Sequence, residues 1–386
     1  MTTKLKDELT MTMKLKDELT MTTMTMKRRI LFAAAIAGTL ASISNAAIAE
    51  TVGILMPTRD NERWIRESDR MTEVLKAKGY DSVVQFANND VPTQVNQIEN
   101  LLAKGVKALV ISSVDGAALT TALEEARKQK TPVIAYTRLI SGTDAVSYYA
   151  TFDYYKYGQV SAEAILEGLG LVDANGKRTD KKGPFNIEYV GGSATDNVAR
   201  WMFDAANATF DPYFKSGVLT IASKQTSFEQ TVTPNWDGGK AQTRMENILA
   251  STYTKGRTLH AVWVPYDGLT RGVISSLRDA GYTVGKGWPI LPGGDAEVDS
   301  VKAILSGEQY STTFTDYRGL AEASANLVLE LLSGKPPSGN FDLKSYNNGV
   351  KVVPTLLFKV VNLKKDKVVS GLVDSGFYTK KQLGLK

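Results

Sequence analysis

The chain has no cysteine and a single histidine, His260, in 386 residues. The first absence excludes a disulfide framework and any thiolate-held zinc or iron–sulfur site; the second removes most histidine-based catalysis and every His-rich metal site. No metal and no cofactor is expected. The first strand-to-helix loop, Pro57-Thr58-Arg59-Asp60-Asn61-Glu62-Arg63-Trp64, lacks both the G-x-G-x-x-G and the G-x-x-x-x-G-K-[ST] spacing, so it is not a phosphate cradle. Charge of one sign is scarce as well. The formal net charge is +5, but residues 1–49 hold seven Lys/Arg and four Asp/Glu, which leaves 39 basic and 37 acidic residues beyond them. A surplus of two offers no concentrated basic face for nucleic acid.

What is present begins with an address. Met26-Lys27-Arg28-Arg29 makes a positive n-region, Ile30 to Ile43 an apolar stretch interrupted by Gly38, Thr39 and Ser42, and Ala47-Ile48-Ala49 an A-x-A cleavage site before Glu50. Together they read as a secretory signal peptide over residues 26–49, since the apolar run falls short of the ~20 residues that span a bilayer. A soluble periplasmic protein maturing near Glu50 is expected, with no lipid anchor because no cysteine follows the cleavage point. Upstream, Lys-Leu-Lys-Asp-Glu-Leu-Thr-Met occurs twice, from Lys4 and from Lys14. The expectation is that translation starts at Met26 and that residues 1–25 are not translated, a helical extension being the other reading.

From Glu50 onward short apolar runs alternate with longer amphipathic ones, the pattern of a β/α protein with parallel sheets. With 43% hydrophobic residues the chain can bury real cores, and its length suits two lobes. Strands are expected at Thr51 to Met56, Val83 to Phe86, Ala108 to Ile111, Thr131 to Arg138 and Ser147 to Asp153. Helices are expected at about Arg63 to Lys78, Thr93 to Lys104, Ala117 to Lys130 and Tyr154 to Gly168. A second series follows, with strands at Phe185 to Val190, Leu219 to Ser223, Ala261 to Val264 and Ile290 to Leu291, and helices at Val198 to Phe210, Gly239 to Ala250 and Leu269 to Ala280; Phe228 to Asp237 reads as loop. The last third gives helices Val298 to Leu305 and Leu320 to Leu332, a strand Gln309 to Phe314, and terminal strands near Val350 and Leu356. The fold class is thus α/β, with two Rossmann-like lobes joined by several hinge strands. The first lobe is set at 50–151 plus about 316–344, the second at 152–315 plus about 345–386.

Open parallel sheets bind ligands at their strand ends. Arg138 follows the buried run Val133-Ile134-Ala135 and offers five fixed donors, as a ligand contact or as a structural salt bridge. Arg63 and Trp64 bring donors and an aromatic face to the first loop, with helix packing the other reading of Trp64. Asp153 ends a strand where either a helix cap or a ligand contact belongs. Asn197, Asp267 and Asp295 end strands of the second series.

Met56-Pro57-Thr58 with Arg63-Trp64, Gln97-Ile98-Glu99-Asn100, Tyr148-Tyr149-Ala150-Thr151-Phe152-Asp153 and Pro184-Phe185-Asn186-Ile187-Glu188 carry a family resemblance. So do Pro265-Tyr266-Asp267-Gly268, Asp295-Ala296-Glu297, Gly307-Glu308-Gln309-Tyr310-Ser311-Thr312 and Asn348-Gly349-Val350-Lys351-Val352-Val353-Pro354. Over nearly all of residues 50–386 the chain resembles the type I periplasmic sugar-binding proteins, in the ChvE-type multiple-sugar-binding branch near the xylose-binding proteins. The resemblance implies the periplasmic binding protein-like fold, capture of an aldose or modified sugar by hinge closure, and delivery to the membrane permease of an ABC importer. It also implies a chemoreceptor or sensor kinase as a further partner; a monomer is expected, and the charge balance gives no reason to expect nucleic acid binding. Another small polar solute, a polyol or sugar acid, is the alternative ligand. The family's sugar contacts fall on Arg63, Arg138, Asn197, Asp267 and Asp295, with Trp64 and Trp236 as apolar faces.

Three positions depart from the family pattern. Thr137 stands in Tyr136-Thr137-Arg138 where relatives carry Asp, Gly294 replaces Gln, and Thr315 replaces Lys. Together they imply altered sugar specificity. An enzyme is the rival class, because Asp153, Asp267 and Asp295 could supply a glycosidase's carboxylate pair, but no nucleophile or metal cluster accompanies them. A sugar-responsive repressor would need a helix-turn-helix where the signal peptide lies.

Overall fold

Short runs of buried β-branched residues build the strands, and side-chain oxygens start most of the helices. The computed structural model describes residues 50–386 and five positions before them, Thr10, Met11, Thr12, Lys16 and Met21. The signal peptide and most of the repeated segment lie outside the described residues. In chain order the elements are β1 (Thr51–Met56), α1 (Glu62–Lys76), β2 (Asp81–Phe86), α2 (Val91–Ala103), β3 (Ala108–Ile111), α3 (Thr120–Gln129), β4 (Val133–Tyr136), β5 (Val146–Phe152) and α4 (Tyr154–Gly168). Then come β6 (Phe185–Tyr189), α5 (Asn197–Lys215), β7 (Leu219–Thr220), α6 (Phe228–Thr231), α7 (Gly238–Thr252), β8 (Ala261–Trp263) and α8 (Asp267–Asp279). Last come α9 (Val298–Ser306), β9 (Ser311–Phe314), α10 (Tyr317–Leu332), β10 (Phe341–Asp342), β11 (Thr355–Phe358), β12 (Val361–Lys364) and a π-helical turn at Val369–Val373.

The first sheet has the order β10-β11-β5-β4-β3-β1-β2, parallel except for β10. Its centre is buried on both faces: every residue of β3 and β4 is buried, which is why these strands read as unbroken apolar runs. The second sheet runs β7-β6-β8 and is extended by single bridges, Ala261 to Ile290 and Gly294 to Thr313, toward the antiparallel pair β9-β12. The chain passes between the sheets after β5, after β9 and after β11.

Several expectations are corrected. Residues 341–358 complete the first sheet, through the parallel pairing of Thr355 with Tyr149 and Phe358 with Phe152, and only β12 onward joins the second; the expected boundary at 345 is too early. The expected strand near Val350 is a loop, because the Asn348 side chain accepts from the Val350 and Lys351 amides and donates to the Ile140 and Thr143 carbonyls. Side-chain bonding of this kind competes with a ladder. Ile290–Leu291 supplies one bridge rather than a strand. The expected loop over Phe228 to Asp237 holds α6, started by a Ser227–Gln230 capping box, and a 3₁₀ turn at Pro234–Trp236.

Candidate functional site

Between the two sheets lies a cleft of about 740 Å³. It sits where strand ends and helix starts from both lobes meet, as expected for parallel sheets. Arg63, Trp64, Thr137, Arg138, Trp236 and Asp295 line it; Asp153, Asn197 and Asp267 do not.

Arg63 is the centre of the cleft's charge network. Asn61 caps α1 and places Arg63 in the first turn, where only 8% of it is exposed. Its Nε donates to Glu67 at 2.7 Å and its Nη1 to Asp295 of the second lobe at 3.0 Å. Burial disfavours the Arg63 charge, but Asp295 and Glu67 outweigh it and hold the guanidinium above its ordinary pKa. Burial pushes Glu67 up, against the pull of Arg63. Arg63 Nη2 is buried and has no partner among the described residues.

Arg138 supplies the second bridge between lobes. Its Nε meets Asp196 at 2.8 Å and its Nη1 donates to the Ser113 carbonyl at 2.9 Å. Asp196, 3% exposed, also caps α5 and accepts from Trp236 Nε1 at 3.2 Å. Burial raises the Asp196 pKa and Arg138 lowers it, with a net rise. Trp64 lies under both guanidiniums, 4.7 Å from Arg63 and 5.6 Å from Arg138, so this ring both packs and faces the cleft.

Backbone strain concentrates here. Asn88, Asn89, Thr137, Asn235, Trp236 and Asp295 all line the cleft at φ between 52° and 84°, a region that non-glycine residues seldom occupy. Gly192 and Gly294 make room for rings instead. A Cβ on Gly192 would lie 2.1 Å from Trp236, and one on Gly294 would overlap the Tyr157 hydroxyl. A side chain at 294, such as the Gln expected from the resemblance, therefore has no space beside this Tyr157, which lines the cleft and donates to the Pro265 carbonyl.

The three residues outside the cleft have other work. Asp153 caps α4 through the Lys156 amide, the bland alternative of its reading. Asn197 is the first residue of α5 and its side chain donates across the lobes to the Leu139 carbonyl at 2.9 Å. Asp267 is fully buried and accepts from the Glu297 amide, Gln309 Nε2 and Thr312 Oγ1. Its pKa is raised well above the ordinary range by burial and then by Glu297. Sequence reasoning missed Asp196, Tyr157 and Arg271, which line the cleft. Asp196 was within reach, as an N-cap residue directly before a helix. Among the described residues no cluster could hold a metal ion, and no helix is long and apolar enough to cross a membrane.

A periplasmic binding protein domain model matches residues 52–336. The chain is 43% identical over 356 residues to the multiple sugar-binding periplasmic receptor ChvE of Rhizobium radiobacter, covering 92% of this chain and 98% of that one. It is also 43% identical to the multiple sugar-binding periplasmic protein SbpA of Azospirillum brasilense, covering 89% and 94%. Among solved structures, an ABC transporter solute-binding protein from Clostridium phytofermentans with bound β-D-glucose superposes with a TM-score of 0.81 at 41% identity, over 86% of this chain and all of that one. These are binding proteins rather than enzymes, which retires the glycosidase reading of the carboxylates. Cleft, topology and likeness converge: the chain belongs to the periplasmic sugar-binding proteins of ABC importers.

Proposed function

We propose that this receptor captures an aldose in the cleft between its lobes, using Arg63, Arg138 and Asp295 as polar contacts and Trp64 and Trp236 as apolar faces. The observation that carries the reading is the unpartnered, buried Nη2 of Arg63 on the cleft wall. A buried donor without an acceptor costs about 1–3 kcal/mol, and a sugar hydroxyl supplies that acceptor. Bound β-D-glucose in the Clostridium phytofermentans protein and D-glucose in one from Chloroflexus aurantiacus, 30% identical with a TM-score of 0.75, support an aldose. Closure moves the lobes about the three crossings, and the closed form is delivered to a membrane permease. A chemoreceptor or sensor kinase as a further signalling partner belongs to the same reading. The receptor acts as a monomer in the periplasm after cleavage before Glu50.

A thermal-shift screen of residues 50–386 against pentoses, hexoses, deoxy sugars and polyols tests this. A ligand that binds only the folded state adds about 2.7 kcal/mol of stability at a hundred times Kd. An aldose among the strongest hits is the expected outcome, and a panel in which only polyols respond would replace the reading.

Two substitutions refine it. Thr137 is 1% exposed, lines the cleft at φ 56° and lies 3.2 Å from Ser112 Oγ. Asp tolerates this backbone better than β-branched Thr and adds a charged acceptor, worth roughly 1.5–3 kcal/mol. Thr137→Asp is expected to tighten binding of glucose, galactose or arabinose about tenfold or more by calorimetry; unchanged or weaker binding counts against the contact. Asn197→Ala removes a bond between lobes without touching the cavity wall. It should weaken sugar binding by about 0.5–1.5 kcal/mol through closure alone, and equal affinity would show that this bond does not bias closure.

A further inference from the structure

One helix of the second lobe makes a run of contacts to the first. From α5 and the turn before it, Thr195 Oγ1 donates to the Val114 carbonyl at 3.3 Å, Asp196 meets Arg138, and Asn197 donates to the Leu139 carbonyl. Trp201 lies one turn beyond Asn197, on the same face of the helix. Its ring meets that of Tyr346, in the loop between β10 and β11, edge to face with centroids 5.8 Å apart. Among the described residues Trp201 is the one side chain of the second lobe packed against the first-lobe core that holds Leu109, Ile111 and Tyr149. Neither Trp201 nor Tyr346 lines the cleft.

The first-lobe side of this contact is anchored. Tyr346 packs edge-on against Tyr149 at 5.5 Å, and its carbonyl accepts from the Val353 amide. Asn348 ties the same loop to the Ile140 and Thr143 carbonyls. Tyr149 is fully buried, and its hydroxyl donates to the Thr137 carbonyl at 2.7 Å. The platform that receives Trp201 is therefore bonded to the turn that presents Thr137 and Arg138 to the cleft.

We propose that Trp201 and Tyr346 form a closure latch outside the cavity, which strengthens the hold on every sugar by the same factor. The proposal rests on the sugar-receptor reading above and adds a positioning pair to it. A contact between lobes that is made on closure adds its free energy to the binding of any ligand that closes them. Neither ring reaches the cavity wall, so the latch has no means of telling one sugar from another. Affinity and specificity are thereby set by different residues of one receptor.

Calorimetry on residues 50–386 tests this with glucose, galactose and arabinose and with the variants Trp201→Ala, Tyr346→Ala and their double. Each single variant is expected to weaken every sugar that binds by about three- to tenfold, the size of an aromatic pair. That factor should agree between sugars within about twofold, and the double variant should bind no more weakly than the weaker single one. Damage confined to α5 would instead add to the loss caused by Tyr346→Ala. Additive losses in the double variant therefore overturn the latch. Single variants that bind within about twofold of the parent, or losses that differ several-fold between sugars, overturn it as well. If Trp201→Ala fails to fold, Trp201→Leu, which keeps apolar bulk and loses the ring, takes its place in the cycle. All these outcomes leave the sugar-receptor reading intact, whereas a parent protein that binds none of the sugars defeats both.

Discussion

Arg63→Ala is expected to abolish sugar binding and to cost about 3–5 kcal/mol of stability, the toll of breaking a buried ion pair from one side. Glu67 is fully buried and receives the Arg63 Nε at 2.7 Å, so truncation strands a carboxylate in the core. Asp295 loses its bridge to the first lobe at the same time. Chemical denaturation measures the first effect and calorimetry the second. The two separate in the double variant with Glu67→Gln, which should recover most of the stability and none of the binding. Acid should also narrow the deficit. Glu67 already has a raised pKa in the fold, and losing Arg63 raises it further, so the folded variant holds this proton more tightly than the unfolded chain does. The stability linked to that proton is present at low pH and lost as pH climbs through the raised value. A deficit that does not shrink on acidification would place the cost elsewhere than Glu67.

Asp267→Ala should be as damaging to the fold and far less so to the ligand. Its carboxylate gathers the Glu297 amide, Gln309 Nε2 at 2.8 Å and Thr312 Oγ1 at 3.1 Å, and it is wholly buried. Removing it leaves buried donors unsatisfied at about 1–3 kcal/mol each, so a loss of about 3 kcal/mol or more is expected. Asp295 lies on the segment this knot holds in place, since the Asp267 amide bonds the Gly294 carbonyl at 3.0 Å. That backbone bond survives the substitution, so affinity measured well below the melting temperature should stay within about tenfold of the parent. A variant that melts normally but no longer binds sugar would return Asp267 to the list of ligand contacts.

Asp267 shows where strand-end reasoning stops. Position alone placed Asn197, Asp267 and Asp295 together, because each follows a strand of the second series. Only Asp295 reaches the cavity. The partners that draw Asp267 inward, Gln309 and Thr312, lie 42 and 45 residues further along the chain, and no local pattern announces them. At Asn197 the error is one of register. The helix starts at Asn197 rather than Val198, so Asp196 becomes the cap and faces Arg138 and Trp236, while Asn197 turns toward Leu139. Trp236 was reached through family likeness, because a tryptophan at φ 57° in a 3₁₀ turn follows from no propensity.

The sequence by itself determined the two-lobed α/β architecture, because alternating apolar strands and amphipathic helices leave parallel sheets as the economical way to bury both patterns. It also determined that Arg63 and Arg138 stand at the cleft, since each follows a strand buried to its end. Tertiary structure alone decided how those arginines are used. Their charges are met by Glu67, Asp196 and Asp295, and two of these three acids come from the other lobe. It also decided that Tyr157 fills the space over Gly294. These outcomes depend on which side chains meet across large sequence separations, and chain order does not encode such meetings locally.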